Sequence, residues 1–126
     1  MIDYAAGGEL LERYGQAWET FDGDAWVDLF TDEAEYHGDP FGAPLVGHIA
    51  LRAFMLESAR TQRDVDFTVE RHWVSGSTVL AAWHASWTDR SDGRVERWAG
   101  FLTAEVESDG RIGRFREWAL EGPAGA

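Results

Sequence analysis

The chain has 126 residues, with 23 Asp+Glu against 11 Lys+Arg for a net charge of −12, four His and no Cys. At this length one domain covering residues 1–126 is expected, since area scaling lets such a chain bury about two-thirds of its unfolded surface. The missing cysteines exclude disulfides and Cys-based metal sites. The acidic balance argues against nucleic-acid backbones and anionic membranes, both of which recruit clustered Lys and Arg.

Leu10, Leu11, Tyr14, Ala17, Trp18 and Phe21 recur at helical spacing, which predicts an amphipathic helix over residues 4–20. FDGDAW then supplies a break, with Asp22 or Asp24 as N-cap of a short second helix that buries Trp26, Leu29 and Phe30. EAEYH reads as a short strand that runs into a loop, GDPFGAPLVG, rich in Gly and Pro. A third helix is expected from Gly47-His48 through ALRAFMLESAR.

From Val65 the period changes to two. VDFTVERHWV, STVLAAWHASW, VERWAGFLTAEVE and RIGRFREWAL read as four strands, joined by Gly-containing turns that favour antiparallel hairpins. Helices first and a meander after is the α+β pattern, with three N-terminal helices wrapped across a curved, mostly antiparallel sheet to form a cone.

Seven Trp, seven Phe and three Tyr are more large rings than a small core requires. They are either generous packing or the wall of a concave pocket for an apolar small molecule. Strand alternation sorts the candidates. Val79, Ala81, Trp83, Ala85 and Trp87 form one wholly apolar face, which should turn inward, leaving His84 on the convex side. In the last strand Phe115, Glu117 and Ala119 share the face with fewer charges, so Glu117 is expected in the cone, where desolvation would raise its pKa.

Taken in order, LERYGQAWETFDGDAWVDLFTDEAEYHGDPFG, VGHIALRAFM and DGRIGRFREW resemble the nuclear transport factor two-like superfamily, in particular its ketosteroid isomerase and SnoaL-like members. The likeness runs from about residue 8 to 120 and implies the cone-shaped, cystatin-like roll of that superfamily. It implies a general base at Asp39, before Pro40, and an oxyanion-hole donor at Tyr14. The isomerases keep a carboxylic acid neutral as a second donor; here Leu102 falls near that position, and Met55, after Phe54, replaces a second pocket tyrosine. Arg116-Glu117-Trp118 resembles the Arg-acid-aromatic triplet of limonene epoxide hydrolase, although LAAWHASW lacks the second carboxylate and the arginine which that enzyme also needs. SnoaL-like cyclases and dehydratases use a looser set, an Asp or His acting in an aromatic cone.

The candidate catalytic residues are therefore Asp39, Tyr14, His37 and Glu117. Each has a plain alternative. Asp39 before a proline could start a turn, Tyr14 could be a core tyrosine, and Glu117 could pair with a neighbouring Arg. His37 could be a solvated strand-end residue rather than a proton shuttle. Expected pocket residues are Trp18, Trp26, Phe30, Tyr36, Phe54, Met55, Trp83, Trp87, Trp98, Leu102 and Phe115. His37-x-Asp39 finds no convergent third ligand, so no metal is expected. No Gly-rich phosphate loop or GxSxG elbow occurs, so no cofactor is expected either.

The reading that results is cofactor-free acid-base chemistry (isomerisation, cyclisation or dehydration) on a small apolar carbonyl metabolite such as a polyketide, steroid or terpenoid. A non-catalytic binding or dimerisation domain is the alternative, and epoxide hydrolase-like chemistry at Glu117 a second. The expected partners are an apolar ligand and a second copy docked on the convex face. No apolar run reaches the ~20 residues of a membrane-spanning helix and MIDYAAGGEL lacks a basic-then-apolar leader, so a cytoplasmic location is expected.

Overall fold

The computed structural model describes residues 1–123; the last three residues of the EGPAGA tail lie outside them. Helix α1 spans Tyr4–Glu19 and begins where the Asp3 carboxylate accepts from the Ala6 N–H at 2.8 Å. That contact satisfies one of the donors a helix start leaves orphaned. Its inward stripe is Gly7, Leu10, Leu11, Tyr14, Gly15 and Ala17. Gly15 is required by close approach: a Cβ there would lie 2.7 Å from the Phe67 ring on the sheet.

Helix α2 (Gly23–Val27) is capped by Asp22, whose side chain accepts from Ala25 N at 3.0 Å; Asp24, the other candidate cap, instead pairs with Arg52 of helix α3 (Gly47–Thr61).

Six strands follow one another across a single curved, unclosed sheet in the order β2-β1-β6-β5-β4-β3. They are β1 (Phe30–His37), β2 (Leu45–Val46), β3 (Gln62–Ser75), β4 (Thr78–Asp89), β5 (Val95–Val106) and β6 (Ile112–Glu121). The last four form the expected antiparallel meander, and β1 lies parallel to β6. Register shifts on β3, between Arg63 and Asp66 and between Val69 and Arg71, are bulges of the kind that bend a strand and increase its twist.

Several details depart from the sequence reading. α2 ends at Val27, so Leu29 and Phe30, expected on it, are buried beyond its end, Phe30 as the first residue of β1; β3 begins at Gln62, directly after α3, rather than at Val65. β1 starts at Phe30, three residues before EAEYH, and the loop after it contains β2, where Leu45 pairs with Tyr36 and Val46 with Glu35. A two-residue strand has no period to read. It forms because the exposed edge of β1 offers unpaired backbone groups.

The alternation on β4 is as expected: Val79, Ala81, Trp83 and Ala85 are 0–5% exposed, whereas His84 is exposed and lies 3.5 Å from Glu70. The convex face carries Leu80, Ala82, Phe101, Trp118 and Leu120, with Arg71 over the Trp73 ring at 4.9 Å. Among the described residues, no helix is long and apolar enough to cross a membrane.

Candidate functional site

Tyr14, on the inward stripe of α1, and Tyr36, inward on β1, meet above β6, where Phe115 and Glu117 point to the same side. Both tyrosine rings lie nearly parallel to Phe115. The Tyr36–Phe115 centroids are 4.8 Å apart at 2°, and those of Tyr14 and Phe115 are 5.2 Å apart at 13°. This stacking brings the two hydroxyls to 3.3 Å from each other, and Tyr36 donates to Glu117 Oε1 at 3.3 Å. A chain of polar atoms thus runs from α1 through β1 to β6. Both bonds are long for O–H···O contacts.

These groups open into a cavity of about 410 Å³, within the size range of small-molecule sites. Its wall is Trp18, Trp26, Trp83, Trp87 and Trp98, with Phe54, Met55, the two tyrosines and Glu117. Trp87 stacks on Trp98 at 6.1 Å and 9°, closing one side. Ser58, Gln62, Gly38 and Ala119 complete it.

Glu117 faces this space from β6 with no cationic side chain in the wall. It is half-buried, and burial among the rings desolvates the carboxyl and pushes its pKa up to about 7. The Tyr36 hydroxyl works weakly in the other direction. Burial, and then the nearby Glu117 charge, hold both tyrosines well above the usual phenol range, so they remain neutral donors at any physiological pH.

The cavity gathers Tyr14 and Glu117 from the predicted catalytic set, and from the predicted wall Trp18, Trp26, Tyr36, Phe54, Met55, Trp83, Trp87 and Trp98. Phe30, Leu102 and Phe115 stand behind it, 0–1% exposed in the core. Leu102 pairs with Glu117 across the β5–β6 ladder.

Asp39 lies beyond the end of β1, exposed, with its carboxylate accepting from Phe41 N at 2.9 Å. This is a turn-forming Asx contact, and Asp39 does not line the cavity. His37 alternates with Tyr36 and so faces away from it, bonded to Glu35 at 3.0 Å. His48 bonds the Phe30 carbonyl and His72 the Tyr4 carbonyl, each at 2.9 Å. Among the described residues, no three His, Asp or Glu side chains converge to hold a metal ion.

Sequence reasoning missed the polar wall residues Ser58 and Gln62. Helical spacing from Met55 to Ser58 and Gln62, at i+3 and i+7, was the available signal. A larger trough, of about 1030 Å³, runs outside between α1 and β3. Glu9, Glu12, Glu19 and Arg13 are among its lining, and it lacks a convergent aromatic set.

The SnoaL-like domain family matches residues 11–115. No curated protein matches the sequence. Among solved structures, similarity extends to SalBIII, an epoxide hydrolase/cyclase-like enzyme with a role in pyran ring formation in the polyether salinomycin. The two are 20% identical, over 97% of this chain and 95% of that one, with a TM-score of 0.83. The Δ5-3-ketosteroid isomerase of Mycobacterium sp. is 18% identical, over 93% and 98%, with a TM-score of 0.78. A hypothetical protein of Catenulispora acidiphila with the ketosteroid isomerase-like fold, in complex with trimethylamine, is 14% identical, over 87% and 84%, with a TM-score of 0.79. At these identities the likeness is one of fold.

Proposed function

Given that the chain belongs to the SnoaL-like domain family, we propose that it is a cofactor-free acid-base enzyme acting on a small, mainly apolar ketone or epoxide, with Glu117 as the group that takes and returns the proton. The observation that carries this reading is a carboxyl in an aromatic cavity, without a counter-cation, bonded to a tyrosine pair and poised near neutrality. A general base or acid is most efficient when its pKa lies near the working pH.

In the base form Tyr36 donates to Oε1, and no protein donor reaches Oε2 among the described residues. Oε2 removes a proton from the carbon α to the carbonyl, leaving Glu117 as the acid and the substrate as the enolate. Because Tyr36 donates to Glu117, the Tyr14 hydroxyl donates to Tyr36; rotating about its C–O bond it redirects that proton to charge developing on a ligand oxygen nearby. Return of the proton from Glu117 to another carbon completes an isomerisation; given instead to a β-hydroxyl of the enolate, it lets that oxygen leave as water while the enolate re-forms the carbonyl; and in the acid form the carboxyl protonates an epoxide oxygen as a hydroxyl of the same substrate attacks the ring carbon and releases its own proton to water. The neighbours that open epoxides, close rings or isomerise steroids make this chemistry compatible with the fold; the assignment to Glu117 rests on this chain's own geometry. Solvent deuterium incorporation into a panel of enolisable ketones tests it, with wild type beside Glu117→Gln. Exchange that requires Glu117 supports the reading, and exchange unchanged by the substitution removes it.

One observation favours a second, non-catalytic reading. Eight aromatic rings around an unpaired carboxylate are also the chemistry of an alkylammonium cage, and the Catenulispora neighbour holds trimethylamine. The two readings give different pH dependence. A fixed cation such as tetramethylammonium needs Glu117 ionised, so its affinity would rise through about pH 7. A neutral ketone held by a tyrosine hydroxyl, as in the proton-transfer step above, does not draw on the Glu117 charge, so its affinity would change little over the same range. Calorimetric titration at pH 5.5 and 8.5 separates them.

The convex face, where Trp118 is 41% and Leu120 80% exposed, is the surface through which we expect a homodimer. Light scattering should give twice the chain mass for wild type and the single mass for Trp118→Arg.

A further inference from the structure

Gln62 ends α3 and starts β3, and its backbone is pinned on both sides: its N–H donates to the Ser58 carbonyl, and its own carbonyl accepts from Arg90 Nε at 2.7 Å. Its side-chain Oε1 accepts from Trp18 Nε1 at 2.9 Å. An indole N–H only donates, so the amide orientation is fixed by chemistry: the oxygen faces Trp18, and the N–H₂ is left to face elsewhere. Gln62 lines the cavity, and no protein acceptor takes that N–H₂ among the described residues.

The sheet register sets Gln62 and the acid in different rows of the wall. Glu117 pairs with Leu102, which pairs with Ala81 of β4; Gln62 pairs with Asp89, eight residues further along the same strand. Trp83 and Trp87 lie on β4 between these rows, facing the cavity. The two polar ends of the wall are therefore separated by an aromatic stretch.

The wall is also unbalanced in hydrogen bonding. Among the described residues the Tyr36 hydroxyl is committed to Glu117, the Tyr14 hydroxyl to Tyr36 and the Ser58 hydroxyl to the Phe54 carbonyl at 3.0 Å, which leaves the Gln62 N–H₂ as a wall donor without a protein acceptor. Glu117 is the one carboxylate acceptor in the wall. An anionic ligand would meet that carboxylate and a chain of net charge −12 with no Lys, Arg or His in the wall. What fits is a neutral oxygen acceptor.

We propose that Gln62 is a specificity residue whose amide N–H₂ donates to a carbonyl-type oxygen carried by the ligand at the end away from Glu117. This rests on the reading of the aromatic cavity as the ligand site. The substrate class it defines has an apolar, ring-sized body with one oxygen function at the Glu117 end and a ketone, ester or amide oxygen at the other. A site built to donate a hydrogen bond rejects an analogue that lacks the acceptor, because its polar group is then left unpaired.

The test uses two probes of the same shape, 6-acetyl-2-naphthol and 6-isopropenyl-2-naphthol, which differ in a carbonyl oxygen against a methylene. Binding is read by quenching of tryptophan fluorescence at pH 8. Wild type should bind the acetyl compound about 10-fold more tightly. Gln62→Leu should abolish the preference but leaves Trp18 Nε1 without its acceptor. Gln62→Glu is the cleaner variant: the half-buried carboxylate, ionised at pH 8, still accepts from Trp18 and lacks only the donor, so the preference should vanish there too. Equal affinity of the two probes for wild type, or a preference that survives in Gln62→Glu, overturns the proposal and leaves the Glu117 reading standing. If neither naphthol binds wild type, the cavity reading falls and this one with it.

Discussion

Glu117→Gln is expected to lower the rate of proton exchange by about 10²–10⁴-fold, the range supplied by a positioned acid-base group, and at the same time to stabilise the fold at alkaline pH. The substitution keeps the side chain's shape and its contact with Tyr36 while removing the titrating proton. The stability half follows from linkage. In the unfolded chain the carboxyl titrates at 4.5, in the folded one at about 7. Between those values the folded protein holds a proton that the unfolded chain has released, so stability declines as pH rises and the full penalty is present above 7. A difference of 2.5 pH units corresponds to at most about 3 kcal/mol at 1.36 kcal/mol per unit, and water entering the cavity reduces it.

Glutamine carries no such penalty. The variant should melt several degrees above wild type at pH 8 and close to it at pH 4.5. In wild type, exchange catalysed by the base form should rise through about pH 7 and level off, and the variant should lack that step. Asp39→Asn is the control. Its carboxylate is exposed and holds a turn, so a change of less than about 3-fold is expected. A loss of orders of magnitude there would move the base to the loop after β1.

What the sequence disclosed about this site, and what it did not, follows from the range of each physical signal. Period two on β4 and β6 is a local, strong signal, and it assigned Trp83, Trp87 and Glu117 to the inner face correctly. The resemblance to the isomerases put an acid at Asp39 because the residue before Pro40 matches their pattern. Here β1 ends at His37 and the chain turns at Asp39, so that carboxylate reaches the turn backbone instead of the cavity. No alternation rule covers residues beyond a strand's end.

The sequence reading gives Tyr36 a place in the wall alone. Its bonds to Tyr14 and Glu117 join residues 22 and 81 positions apart; the parallel β1–β6 pairing brings Tyr36 to Glu117, and the packing of α1 on the sheet brings it to Tyr14. Phe115 is expected in the wall from its strand face, Leu102 from the resemblance and Phe30 from its burial, and none of these signals separates facing the core from facing the cavity. In a curved sheet the inner face is core where the helices press on it and cavity only where they stand clear.

Phe115 carries the other large expected effect, because it touches no ligand and yet sets the geometry of both tyrosines. It is 1% exposed, flat against Tyr36 and Tyr14 and edge-on to Phe30 at 6.3 Å. Phe115→Ala would forfeit about 3–5 kcal/mol, a large part of the stability of a domain this size, and would confound folding with function. Phe115→Leu keeps an apolar filler but gives neither tyrosine a flat surface to stack on. The Tyr14–Tyr36–Glu117 chain should then lose its alignment, and a displacement of about 1 Å is enough to cost on the order of 10²-fold in rate.

A merely structural role predicts that the rate lost by Phe115→Leu and by Tyr36→Phe simply multiplies in the double variant. If Phe115 acts through the tyrosines, the double variant should be scarcely worse than Tyr36→Phe alone, since the stacking has no hydroxyl left to aim. The pH profile gives an independent reading. Tyr36 lowers the Glu117 pKa by donating to it, so Tyr36→Phe should move the rising limb of the rate above pH 7. Were that limb to stay in place while the rate falls, Tyr36 would be acting on the substrate rather than on the carboxyl, and Phe115 would be positioning a substrate contact instead of tuning the acid.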